Sequence, residues 1–130
     1  MEHEYQEAVE QYMNGYCMFM AAALHHKYNV PIGLLLIKHD KWHLCHAWVC
    51  LPNGKYFDVQ GPQNLKQVTS FRDDAPEMEY KVICPATLTE LENISKADLS
   101  IGESDVVRAI EITEKFWTRM GMDVFNTCRQ

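Results

Sequence analysis

At 130 residues, with 47% hydrophobic and 23% charged side chains, the chain fits one globular domain that is large enough for a single core. A net charge of −6, a pI near 5.4 and the lack of any Lys/Arg stripe argue against a nucleic-acid partner. No run approaches the roughly 18 apolar residues of a membrane span, and the acidic start "MEHEYQEAVE" does not read as a signal peptide. Five unevenly spaced cysteines fit a reducing compartment better than a disulfide framework, so a cytoplasmic location is expected.

In chain order, residues 3 to 13 read as a helix, with Tyr5, Ala8, Val9, Tyr12 and Met13 on one face. Asn14-Gly15 stops it. A second helix is predicted over 17 to 28, with Met20, Ala21, Leu24 and Tyr28 on one side and alanines that allow close approach to neighbours. Asn29 and Pro31 end it. "IGLLLIKH" (32 to 39) is a continuous apolar run of strand length, predicted to be buried on both faces. Strands follow at 43 to 51, 55 to 60 and 79 to 84, with a short helix somewhere in 63 to 71. "TLTELENIS" (87 to 95) is a helix with a capping box from Thr87 to Glu90. A last helix from about Ser104 is predicted to bury Val106, Val107, Ile110, Phe116, Trp117 and Met120. Helices, then strands, then helices imply an α+β fold: N-terminal helices packed on an antiparallel sheet of about four strands, with C-terminal helices.

"NGYCMFMAAAL" places Cys17 at the head of the alanine-rich helix, where aligned backbone N–H groups stabilise a thiolate. Downstream, "HAWVCLPNGKYFDVQG" (46 to 61) is a hairpin with two readings. A two-residue turn at Asn53-Gly54 pairs Pro52 with Lys55 and sends Asp58 to the face opposite His46. A three-residue turn, Pro52-Asn53-Gly54, pairs Leu51 with Lys55, with Gly54 left-handed in a G1 bulge. Pro52 has no N–H to give to a ladder, which favours the second reading. Trp48 then opposes Asp58, His46 opposes Gln60, and Leu44, His46, Trp48 and Cys50 share one face with Tyr56, Asp58 and Gln60. His46 and Asp58 become diagonal neighbours about 7–8 Å apart at the backbone, close enough for the carboxylate to orient the imidazole. With Cys17 docked above that face, the chain holds a nucleophile, a base and an orienting acid.

A cysteine opening a helix after a glycine, then "HAWV", a turn and "KYFDVQG", resembles the Cys-His-Asp constellation of the papain-like cysteine peptidase and transglutaminase-like superfamily. The resemblance implies catalytic Cys17, His46 and Asp58 on a helix packed against an antiparallel sheet. It also implies a small hydrolase or acyltransferase of peptidase, deamidase or transglutaminase type, a protein or peptide substrate, and no cofactor. Gln11, six residues before Cys17, matches the position of the oxyanion-binding glutamine of papain-type enzymes. Asn14 and the backbone N–H of Cys17 are the other candidates for that role. Gln60 and Trp48 stand beside the triad.

The same residues admit other chemistry. "HDKWHLCH" offers His39, His43, Cys45 and His46 as metal ligands, with His25-His26 upstream, but alternation sends His43 and Cys45 to one face and His46 to the other. No metal site is therefore expected. Cys45, Cys50, Cys84 and Cys128 read as structural. A non-enzymatic inhibitor or immunity-type protein on the same fold is the alternative function.

Overall fold

A computed structural model describes residues 2–129, without the side chains of 127–129, so the reading of Cys128 as structural falls on a side chain that is not described. The architecture is α+β, with helices at both ends of a five-stranded antiparallel sheet. Helix α1 (Glu2–Met13) buries Tyr5, Ala8 and Tyr12. It ends in a turn where the N–H groups of Asn14 and Tyr16 both donate to the Gln11 carbonyl, and Gly15 supplies the positive φ of 110°. Helix α2 (Cys17–Tyr28) follows at once. Its small side chains leave almost no polar face: Cys17, Met20, Ala21, Ala22, Ala23, Leu24 and Tyr28 are all buried. The three alanines lose no side-chain entropy on burial and let the helix lie close to the sheet. Asn29 closes α2 in the left-handed region, and His25 Nδ1 meets the Val30 carbonyl at 2.9 Å.

Strand β1 (Ile32–His39) is buried on both faces from Ile32 to Leu36, as its apolar run predicts. It lies between β2 (Lys41–Cys50) and β5 (Tyr80–Ala86), and the sheet order is β4-β3-β2-β1-β5. Strand β3 (Tyr56–Asp58) is shorter than the predicted 55 to 60: the chain turns at Val59-Gln60 and returns as β4 (Gly61–Gln63), a fifth strand not visible in the sequence pattern. Helix α3 (Leu65–Val68) and a 3₁₀ segment (Ser70–Asp74) fill the ambiguous stretch. Helix α4 (Leu88–Ser95) starts with the expected capping box, Thr87 Oγ1 accepting from Glu90 N and Glu90 accepting from Thr87 N. The C-terminal helix is not continuous. Helix α5 (Ser104–Lys115) breaks at Phe116, then α6 (Trp117–Met120) and a 3₁₀ segment (Met122–Arg129) complete the described chain. Val106, Phe116 and Met120 are buried as predicted, but Val107 is exposed and Ile110 and Trp117 are half-buried.

The main core lies between the sheet and α1, α2, α4 and α5; Ile32, Leu34, Leu36, Ala47, Val49 and Phe57 supply its sheet side. Leu35, Trp48 and Val68 form a second, smaller cluster, joined by Cys45, Cys50, Tyr56, Phe71 and Tyr80. Strands β1 and β2 are joined by an irregular register: Leu35 pairs with His46 but Leu36 pairs with Leu44, so Cys45 is an extra residue on β2. This bulge interrupts alternation. It turns Leu44 to the main core, not to the side of Trp48 as alternation predicts, and it brings Cys45 to the Trp48 side.

Trp48 lies flat over Gly33, its cross-strand partner. A Cβ at Gly33 would fall 2.1 Å from Trp48 Nε1 and 2.4 Å from Cε2, and the fully buried indole has nowhere to retreat. Gly33→Ala is therefore expected to lower the urea unfolding free energy by about 1–3 kcal/mol. In a double-mutant cycle with Trp48→Leu much of that loss should disappear; equal losses in both backgrounds would contradict the contact.

Candidate active site

The hairpin adopts the three-residue turn. Val49 pairs with Phe57 and Cys50 with Tyr56, the Leu51 N–H donates to the Lys55 carbonyl at 2.8 Å, and Gly54 takes φ 82°. In this register His46 and Asp58 project to the same side, and their side chains meet: Nε2 of His46 and Oδ2 of Asp58 are 2.8 Å apart. Both are out of solvent, His46 at 0% exposure and Asp58 at 3%.

Asp58 is held from its other oxygen. Oδ1 accepts from the Gln60 backbone N–H at 2.8 Å and from Gln63 Nε2 at 2.6 Å. The first bond is an Asx turn that starts the reversal into β4; the second anchors the carboxylate to β4 itself. Gln63 also donates to the Gly61 carbonyl at 3.2 Å. With the carboxylate committed as acceptor, Nε2 of His46 carries a proton and Nδ1 is the nitrogen left for other chemistry. Among the described residues Nδ1 has no hydrogen-bond partner of good geometry. Cys17 is nevertheless near enough for its sulfur to act on the imidazole. Burial works against the imidazolium, but hydrogen bonding to Asp58 and to Cys17, with the charges of both, outweighs it and lifts His46 from 6.5 to about 9.

The thiol sits at the head of α2 and is 5% exposed. No side chain caps that helix start, since Tyr16 at the N-cap makes no side-chain bond. Phe71 covers the imidazole at 4.9 Å between ring centroids, and Trp48 lies 6.1 Å away on its own strand. Trp48 is itself wedged against Tyr56 in an edge-on contact at 6.3 Å. These aromatics shield His46 from water.

The predicted companions fare differently. Gln11 is exposed, and its side chain lines a groove between α1 and α5 with Glu4, Arg108 and Lys115. Helical periodicity turns it there, so its part in the turn before Cys17 is played by its carbonyl, not its amide. Asn14 is exposed and donates from Nδ2 to the Glu10 carbonyl at 2.8 Å, closing the end of α1. Gln60 is exposed and serves through its backbone. Sequence reasoning missed Gln63, which meets Asp58 only because the chain reverses at Val59-Gln60; an Asp-x-x-Gly turn with a Gln two residues later was the available signal.

Of the histidines offered as metal ligands, His25 and His26 lie beside backbone carbonyls, of Val30 at 2.9 Å and Leu99 at 2.7 Å, and His43 lies 3.2 Å from the His39 carbonyl. The bulge corrects one premise, because Cys45 shares a side with His46. Among the described residues no three His, Cys, Asp or Glu side chains gather as a metal site. No helix among them is long and apolar enough to cross a membrane.

No family model matches the chain, and no curated protein or solved structure is significantly similar to it.

His46 is charged to higher pH in the folded chain than in the unfolded one, so it contributes stability that is complete below about pH 6.5 and is lost as pH rises through about 9. NMR titration of the His46 ring should place its midpoint near 9, and both Asp58→Asn and Cys17→Ala should move it down. A His46 midpoint at its ordinary value would remove the electrostatic basis of the site.

Proposed function

We propose that the protein is a small cysteine-dependent hydrolase or acyltransferase acting on an amide or thioester carbonyl, with Cys17 as nucleophile, His46 as base and Asp58 as the group that orients it. The observation that supports this reading is the imidazole fixed by Asp58 through Nε2, with the Cys17 thiol near enough to act on the same ring. Nδ1 takes the thiol proton to give a thiolate–imidazolium pair, and the thiolate then attacks the carbonyl carbon. The oxyanion is stabilised by backbone N–H groups at the uncapped start of α2. The leaving amine or thiol takes the proton back from Nδ1, and water or an acceptor amine then resolves the acyl-enzyme. Gln63 and the Gln60 N–H keep Asp58, and through it the ring, in place. A protein or peptide substrate and a cytoplasmic location go with this reading, and no step requires a cofactor.

The 5% exposure of Cys17 favours a second reading, a non-enzymatic inhibitor or immunity-type protein in which the same three residues only brace the fold. The two differ in thiol reactivity. p-Nitrophenyl acetate offers a generic acyl group, and mass spectrometry locates the acyl adduct. The enzyme reading expects acetylation of Cys17 ahead of the other thiols, loss of it in Cys17→Ala with the fold retained, and a roughly 10²-fold or larger drop in His46→Ala. Asp58→Ala should leave measurable residual reaction. With an amide substrate, whose leaving amine needs the Nδ1 proton, the rate should fall on the alkaline side as His46 loses it near pH 9, at lower pH in Asp58→Asn. Cys17 acylation no faster than that of Cys45, Cys50 and Cys84 would support the binding protein instead.

A further inference from the structure

Away from Cys17, two other thiols meet. Cys50 ends β2 and Cys84 lies on β5, strands separated in the sheet by β1. They approach where β1 begins. The Cys50 N–H donates to the Pro31 carbonyl at 2.8 Å, just before the first residue of β1. On the other side, Leu34 pairs with Ile83 but Ile32 pairs with Ala86, so Cys84 lies in the stretch where the β1–β5 register shifts. The result is a contact across the end of the central strand: the two sulfurs are 2.9 Å apart. A disulfide bond of about 2.05 Å would require them to close by less than about 1 Å. Neither thiol is fully buried. Cys84 is exposed, and Cys50 is half-buried at the margin of the Leu35–Trp48–Val68 cluster.

We propose that Cys50 and Cys84 are a redox-modification site, forming a reversible intramolecular disulfide by exchange with a low-molecular-weight disulfide of the glutathione type. The roles of the two sulfurs follow from their positions. Exposed Cys84 loses its proton to solvent and attacks one sulfur of the small disulfide, forming a mixed disulfide on Cys84 and releasing one small thiolate. That thiolate takes the proton of Cys50, whose sulfur attacks the adjacent Cys84 sulfur. The protein S–S bond forms and the second small thiolate leaves, to be protonated by solvent. Two protein thiols are oxidised and one small disulfide is reduced to two thiols. Burial, together with the hydrogen bond and charge of Cys84, pushes the Cys50 thiol up to about 12, so it is not the first attacker; once Cys84 is held in the mixed disulfide its charge is gone and that part of the shift is relieved. In a reducing compartment the pair would rest as thiols and register an oxidising shift, the usual role of a disulfide there. The bond would tie β5, an edge strand, to the strand that carries His46, without using Cys17.

The test is incubation of the folded full chain with oxidised glutathione, followed by alkylation of the remaining thiols and peptide mapping. The expected product has lost two hydrogens and contains a Cys50–Cys84 cross-link. Cys45 and Cys50 share a tryptic peptide, so tandem fragmentation must place the link on Cys50. Cys17 and Cys45 should stay free of any cross-link, dithiothreitol should restore both thiols, and the oxidised form should unfold at a higher temperature. Cys50→Ser should stop at the mixed disulfide on Cys84. Should that variant fail to fold, mapping of the unsubstituted chain decides alone. A stable glutathione adduct on Cys84 in the unsubstituted chain, a cross-link through Cys17 or Cys45, or no reaction of Cys50 and Cys84 would each overturn the proposal.

Discussion

Pro52, Asn53 and Gly54 turn the chain in one particular way, and the arrangement around His46 depends on it. With Gly54 left-handed, Leu51 faces Lys55, and Asp58 projects to the side on which His46 stands. Shortening the loop by one residue would slide the register and move every side chain of β3 to the opposite face. The carboxylate would then enter the apolar main core, and the buried imidazole would lose its carboxylate partner. The turn thus fixes register and the pairing of buried polar groups together. Proline, which withholds an N–H, and glycine, which tolerates positive φ, are what make it reliable.

Burying an imidazole and a carboxylate is costly unless their hydrogen-bonding capacity is met. Asp58 meets the condition with three donors from three places: a ring nitrogen on β2, a backbone N–H in the turn and an amide on β4. His46 meets it at only one nitrogen. The other is left with the thiol at the head of α2, an incomplete arrangement of the kind that tends to persist where a proton must move. The packing around it is closed by Phe71 and Trp48.

Much of this was legible in the sequence because the signals are local. The apolar run of β1, the stop at Asn14-Gly15, the capping box at Thr87 and the three-residue turn each rest on a few adjacent residues, and each has the predicted form. What escaped depends on contacts distant in sequence or on strands too short to show a period. The bulge at Cys45 arises from the fit of β2 to β1 and has no signature within β2 itself. β4 is three residues long, too few for alternation to register. Gln63 became a partner of Asp58 through that strand. Phe116 breaks the last helix without a glycine or proline, its ring buried against Tyr5 of α1 at 5.5 Å, so tertiary packing and not local propensity sets the break. The meeting of Cys50 with Cys84 is likewise a property of the sheet order.

The two edges of the sheet differ in length, but each carries a proline. One is β4, three residues with Pro62 at its centre; the other is β5, which carries exposed Lys81 and Pro85. Proline removes a donor from each outer row, and a lysine adds charge and hydration to the longer one. A strand from another molecule would find few consecutive N–H and C=O groups to pair with. The sheet can therefore keep a highly apolar central strand and still resist edge-to-edge growth into aggregates.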